Sequence, residues 1–217
     1  MRAGKPILAG KIRLNPEDET WRQVHKALQW SMFYVREQNR LEGHEDEVWS
    51  VNFSPDGQLI ATASADGTVK LWNREGQELT TLIGHKGIVA SVAFSPDSQT
   101  IATASFDKTV KLWNRKGQEL KTLIGHKGWV YSVSFSSDGQ TIASASKDGT
   151  VEVWNREGVL LQIFKLPTPA NKSDGGFNTV TFSPDGKKLQ HQAGMERLSF
   201  GVWKMGKNKP LEDIKVQ

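Results

Sequence analysis

Three histidines, His44, His85 and His126, stand 41 residues apart, and the same interval separates Phe53, Phe94 and Phe135 and again Trp72, Trp113 and Trp154. Residues 44–84 and 85–125 are identical at 30 of 41 positions. A period of this length marks a fold assembled from one repeated supersecondary unit, because so short a unit cannot bury its apolar face alone and must stack on its neighbours. A fourth copy is legible but worn: Phe182 lies 47 residues after Phe135 and Trp203 lies 49 after Trp154, so insertions precede both.

Each unit reads as four short strands. In the first, Val48 to Phe53 runs into Ser54-Pro55-Asp56-Gly57, where proline presets φ and glycine accepts a positive φ, so the chain reverses. Leu59 to Ser64 follows, with Ala61 and Ala63 small enough to pack between two other layers, and Asp66-Gly67 signals a tight hairpin. Thr68 to Trp72 is the third strand, Asn73 to Gly76 the next turn and Glu78 to Ile83 the fourth strand, ending where Gly84-His85 opens the next unit. Short strands at regular turns, with no helix-period stretch in any copy, predict an all-β fold for the repeats.

The segments GHEDEVWSVNFSPDGQLIATASADGTVKLWN, GHKGIVASVAFSPDSQTIATASFDKTVKLWN and GHKGWVYSVSFSSDGQTIASASKDGTVEVWN resemble WD40 repeats, with Trp-Asn where the family usually has Trp-Asp. The resemblance covers about residues 41–166 strongly and 167–204 weakly, and particularly suits the repeats of multidomain bacterial, especially cyanobacterial, WD40 proteins. It implies an all-β WD40 β-propeller or partial propeller, with three regular blades at about 44–84, 85–125 and 126–166 and a degenerate blade at 167–204. It also implies a structural tetrad in each regular blade: His44, Ser64 (or Thr62), Asp66 and Trp72; His85, Ser105, Asp107 and Trp113; His126, Ser146, Asp148 and Trp154. In such a set the aspartate accepts from the histidine, whose other nitrogen meets the hydroxyl, and the hydroxyl meets the indole N–H. In the fourth copy Ser173, Met195 and Arg197 occupy the other three places beside Trp203, so that blade is expected to be the least stable.

Composition narrows the chemistry. The 217 residues include no cysteine, which removes disulfides, thiolate metal sites and thiol nucleophiles and suits a reducing compartment. A net charge of +4 is a weak pointer to polyanions, and no stretch is apolar for long enough to span a membrane, so the cytoplasm is the expected compartment. A recurring His, Ser and Asp invites a hydrolase reading, but a nucleophile needs one constellation opening into a pocket, whereas here three equivalent sets are stitched between strands. No phosphate loop, zinc-protease motif, nucleophile elbow or dinucleotide fingerprint occurs. His25 and His191 lack metal-ligand spacing and read as surface or partly buried residues. No enzyme activity, cofactor or metal is expected.

Near-identical copies also show where the units differ. The variable places read Glu45 to Trp49, Lys86 to Ala90 and Lys127 to Tyr131, together with Ala65, Phe106 and Lys147 just before the turn aspartates. In the family these places lie on the top rim, which implies a partner-binding face of Glu47, Trp49, Ile88, Phe106, Trp129, Tyr131 and Lys147. Aromatics with a cation match the composition of binding hot spots. The expected function is a noncatalytic scaffold for a protein or peptide partner in a signalling or regulatory assembly. The alternatives are polyanion binding through Lys86, Lys127, Lys147 and the basic termini, with nucleic acid the less favoured partner, or an oligomerising fragment of a larger WD40 protein.

Residues 1–40 differ in kind. Asn15-Pro16 followed by Asp18 and Glu19 is a helix start, and Trp21, Val24, Leu28, Met32 and Val35 form an apolar stripe, so a helix is expected over about 16–39. Residues 205–217 read as a tail. Seven units of 41 residues exceed the chain, whereas four fit, with Gln38 to Glu42 as a candidate outer strand for the last. Three arrangements follow: a closed ring of four, a dimer completing a larger ring, or a truncated arc with exposed edges.

Overall fold

The computed structural model describes residues 40–165, 176–193 and 199–204. The helix expected over 16–39 and the tail both lie outside these residues, as do Ser173, Met195 and Arg197. The chain divides into two units, 1–40 and 41–217. Among the described residues there is no helix, and therefore none long and apolar enough to cross a membrane.

Among the described residues, fifteen strands form four antiparallel sheets, each in chain order. The first holds β1 (Val48–Phe53), β2 (Leu59–Ser64), β3 (Val69–Asn73) and β4 (Glu78–Leu82). The second holds β5 (Val89–Phe94), β6 (Thr100–Ser105), β7 (Thr109–Asn114) and β8 (Glu119–Ile124). The third holds β9 (Val130–Phe135), β10 (Thr141–Ser146), β11 (Thr150–Asn155) and β12 (Leu160–Lys165). The last has β13 (Phe177–Phe182), β14 (Lys188–Ala193) and β15 (Ser199–Lys204). No fourth strand joins it among the described residues, where Arg40, Leu41 and Glu42 are not in a strand.

Turn chemistry explains the reversals. The Ser54 hydroxyl accepts from Leu59 N–H at 2.8 Å and donates to Asp56 Oδ1 at 2.6 Å, while Asp56 Oδ1 also accepts from Gln58 N–H at 3.0 Å. Asn73 closes its own turn: its Oδ1 accepts from the N–H groups of Glu75 and Gln77 at 3.1 and 2.8 Å. The side chains thus satisfy backbone donors that the turn would leave unpaired.

The sheets stack through alternating faces. Ala61 and Ala63 of β2, with Leu59, Val69, Leu71 and Leu82, form the trailing face of the first sheet. Against it lie Val89, Val92, Phe94 and Ile101, on the leading face of the second. The pattern repeats where Ala102, Ala104 and Leu112 meet Val130, Val133 and Phe135, and again where Ala143, Ala145 and Val153 meet Phe177, Val180 and Phe182. Alanine at the centre of the second strand lets the next inner strand approach closely; branched and aromatic residues then fill the gap. Polar pins reinforce each seam. Ser50, Ser91 and Ser132 accept from the N–H groups of Val92, Val133 and Val180 at 3.4, 3.4 and 3.2 Å. Arg115 reaches Asp56 and Arg156 reaches Asp97, at 2.7 and 2.9 Å.

Two turns of the second sheet carry strain: Ser98 takes φ 59° where Gly57 and Gly139 take 65° and 69°, and the hairpin at Lys108 is the other. Gly67 and Gly149 take φ of 84° and 80°, but the equivalent place in the second sheet holds Lys108 at φ 74°, a left-handed conformation that costs an ordinary residue about 1 kcal/mol. Its side chain is exposed. Lys108→Gly should therefore raise stability by about 0.5–1 kcal/mol in thermal unfolding, whereas Lys108→Ala, which keeps the strain, should leave it nearly unchanged.

Candidate functional site

Two groups of residues recur at one end of every regular sheet, one buried and one exposed. The buried group ties the loop before the inner strand to the hairpin between the second and third strands. His44 Nδ1 lies 2.8 Å from Asp66 Oδ2, His44 Nε2 lies 2.8 Å from Thr62 Oγ1, and the Trp72 indole N–H donates to that same oxygen at 2.8 Å. In the second sheet His85, Asp107, Thr103 and Trp113 repeat this at 2.8, 2.7 and 2.9 Å. In the third, His126, Asp148, Ser144 and Trp154 do so at 3.1, 2.8 and 3.0 Å. Each hydroxyl accepts the indole proton and gives its own to the ring, which assigns the histidine proton to Nδ1, facing the aspartate.

This selects Thr62 of the two hydroxyls expected in the first sheet and corrects the ones expected in the second and third. Ser64, Ser105 and Ser146 are not in the chain; Thr62, Thr103 and Ser144, two residues earlier, are. Strand register is the reason. Trp72 stands opposite Ile60, so its indole reaches the diagonal neighbour Thr62, one pair nearer than Ser64. Ser64, Ser105 and Ser146 instead accept from the N–H groups of Asp66, Asp107 and Asp148, each at 3.1 Å, and so close the hairpin. The Gly-His pair has a steric basis as well, since a Cβ on Gly125 would sit 2.7 Å from Trp154 Cη2.

Burial alone would raise the carboxyls of Asp66, Asp107 and Asp148. Hydrogen bonds from the histidines and from Thr68, Thr109 and Thr150 overcome it and hold all three well below the ordinary aspartate range. The third sheet adds an inversion. Where Lys70 and Lys111 bridge to Glu78 and Glu119 at 2.9 and 2.8 Å, it has Glu152, with Leu160 in the partner's place. Glu152 is buried, its Oε2 lies 3.5 Å from His126 Nε2 without a hydrogen bond, and burial pushes its carboxyl up. In the fourth sheet the hydroxyl's place falls to His191, which is buried edge-on against Phe177 at 4.9 Å rather than lying at the surface.

The exposed group arises from a bulge. Val48 pairs with Ser64 and Ser50 with Ala63, leaving Trp49 as an extra residue; Ala90, Tyr131 and Asn178 are the equivalents. A bulge kinks the strand and re-aims its side chain. Just before it, the carbonyls of Glu47, Ile88 and Trp129 accept from the N–H groups of Ala65, Phe106 and Lys147 at 2.8, 2.9 and 2.9 Å. The variable residues of two separate loops are thus clamped side by side. Across the sheets they merge: Trp49 meets Phe106 edge-on at 5.3 Å, and Phe106 stacks on Trp129 at 4.6 Å with a 4° interplanar angle. Tyr131 meets Phe106 and Trp129 edge-on, and Lys147 Nζ lies 4.1 Å from the centroid of the Trp129 ring. Trp49 and Trp129 remain 46% and 41% exposed. Glu47 is exposed and Ile88 half-buried, and both join the rim through their carbonyls.

A family model described as "WD domain, G-beta repeat" matches residues 36–73, 76–114 and 117–155, more than half of the chain, and the chain belongs to this WD40 family. It is 47% identical over 53 residues to an uncharacterized WD repeat-containing protein of Synechocystis, covering 24% of this chain and 4% of that protein. It is 58% identical over 33 residues to human Striatin-4, covering 15% and 4% respectively. Over 38 residues it is 45% identical to the "Probable cytosolic iron-sulfur protein assembly protein CIAO1 homolog" of Nematostella vectensis, covering 18% and 12%. The chain therefore matches only a small part of each relative's length.

Thr62→Val keeps the shape but strips both His44 and Trp72 of a partner, so it should cost about 2–4 kcal/mol, against about 1 kcal/mol for Ser64→Ala, as read by denaturant unfolding. Glu152→Gln should stabilise the protein at neutral pH. A carboxyl with a raised folded pKa is least costly below about pH 4 and most costly once ionised, so the gain of variant over parent should grow between about pH 4 and 7 and vanish in acid.

Proposed function

We propose that the chain is a noncatalytic scaffold that docks a protein or peptide on the rim formed by Trp49, Phe106, Trp129, Tyr131 and Lys147. The observation that carries this reading is the aromatic strip running across three blades, assembled from the very positions at which otherwise near-identical repeats differ. The frame beneath it is common to all three blades, so the rim can vary without disturbing the fold. Large amphipathic rings held at low entropic cost, with a cation beside them, suit a partner that offers apolar groups next to a carboxylate.

The buried hydroxyls support the noncatalytic part. Thr62, Thr103 and Ser144 already accept an indole proton and are closed off from solvent, so none presents an oxygen to a substrate. A bacterial source and a cytoplasmic site of action complete the proposal, supported by the Synechocystis relative and by the word "cytosolic" in the name of the Nematostella one.

Trp129→Ala removes one stacked and one edge-on contact and should lower stability by only about 1–2 kcal/mol. In a pull-down it should abolish capture of the partner that the parent retains, while Leu120→Ala, an exposed apolar residue on the outer strand β8, leaves capture unchanged. Capture that survives Trp129→Ala places the docking surface elsewhere.

A further inference from the structure

The charges of the rim are segregated, and the blade frame does not call for it. Glu45, Lys86 and Lys127 stand at one place in three loops, and each gives its backbone N–H to the hairpin aspartate, at 3.1, 3.0 and 2.7 Å. The contact is made by the backbone, so the frame sets no sign for the side chain. Asp66 is held ionised, and beside it a lysine would be a better neighbour than Glu45. Asp46 and Glu47 extend the acidic run where the other loops have Gly87 and Ile88, then Gly128 and Trp129. Lys108 and Lys147 add cations from the hairpins of the second and third blades, and all seven charged residues are exposed.

Recurring charges of the frame are paired: Lys70 with Glu78, Lys111 with Glu119, Arg115 with Asp56 and Arg156 with Asp97. Among the described residues, none of the seven rim charges joins an ion pair. The aromatic strip starts beside the acidic loop and ends among the cations, in steps of 5.3 Å from Trp49 to Phe106 and 4.6 Å from Phe106 to Trp129. Its two ends are therefore about 10 Å apart at most, the reach of three residues of extended chain at about 3.3 Å each. The Lys147 ammonium sits at the far end, 4.1 Å from the Trp129 centroid. A polyanion laid along the strip would meet three carboxylates at the first blade, so the charge pattern disfavours it.

We infer that the rim selects an extended peptide of fixed charge order: basic side chains over Glu45, Asp46 and Glu47, apolar side chains along the aromatic strip, and carboxylates at Lys127 and Lys147. The inference rests on the rim as the docking surface and adds which peptides that surface prefers. Opposite charges at the two ends steer such a segment into one orientation before the rings engage, whereas the reverse orientation sets like charges together at both ends. Selection of this kind weakens with salt, because exposed charges are screened over about 8 Å at physiological ionic strength.

The test uses the full chain and the fluorescence anisotropy of labelled peptides capped at both ends. Two are ordered, Lys-Lys-Leu-Phe-Leu-Glu-Glu and Glu-Glu-Leu-Phe-Leu-Lys-Lys, and between them cover both backbone directions. Lys-Glu-Leu-Phe-Leu-Lys-Glu has the same composition with the order broken, and Glu-Glu-Leu-Phe-Leu-Glu-Glu is wholly acidic. One ordered peptide should bind about tenfold tighter than the broken and acidic ones, and Trp129→Ala should abolish its binding. Glu45→Lys with Glu47→Lys puts base for acid at the first blade and should reverse the ranking, with the acidic peptide now the tightest, a gain that misfolding cannot produce. Ordered and broken peptides that bind equally, and are both lost with Trp129→Ala, overturn the charge order and leave the rim standing. Tightest binding of the acidic peptide or of a short oligothymidylate by the parent overturns it in favour of a polyanion, and binding of none of the peptides overturns it outright. Binding of an ordered peptide that survives Trp129→Ala overturns the rim reading itself.

Discussion

A hydroxyl that accepts the indole proton of one strand and donates its own to a histidine from a neighbouring loop sets the geometry on which the rest of each blade depends. Thr62, Thr103 and Ser144 have one proton and two lone pairs, and Trp and His use the first of each. The histidine's single proton, on Nδ1, is then left for the aspartate, and the aspartate's remaining oxygen is filled by Thr68, Thr109 or Thr150. Such a network is worth having only when complete, because an unpaired buried polar group is costly. Its completeness fixes the hairpin against the loop, and that in turn fixes the backbone clamp that places the rim side chains.

The blade frame was largely legible in the chain before any coordinates. Period, turn residues and alternation located the strands because each of these signals acts locally: proline in Ser-Pro-Asp, glycine after the turn aspartate, alanine at alternate places. The hydroxyl of the buried chain was not so easily chosen, since Thr62 and Ser64 lie on one face and only cross-strand register separates them. Glu152 escaped notice for a related reason. In sequence it is one charged residue replacing another, and its burial follows from the loss of Glu78's counterpart to Leu160. The rim residues were picked out by their variability, but their meeting across three blades depends on a bulge at Trp49 and Tyr131, which leaves no mark in composition.

The three regular blades share a frame yet do unequal work. The first leaves Val48, Val51 and Phe53 exposed, the second stores strain at Ser98 and Lys108, and the third buries a carboxyl beside a histidine. The fourth gives up the hydroxyl for His191 and turns a polar strand outward. Packing, more than the repeat itself, decides what each blade can lose: an internal seam tolerates little change in volume, whereas the exposed positions of β14 take lysine and glutamine.

The bulge before each second pair has a consequence for how such a chain can change. In every blade one residue of the first strand stands outside its ladder, so its identity is uncoupled from the pairing with the second strand. Trp49, Ala90, Tyr131 and Asn178 differ in size and polarity while the strands around them keep one register. Recombination between copies can therefore exchange rim residues among blades in a single step without a shift of frame, and a new recognition surface arises by reshuffling parts that already fold.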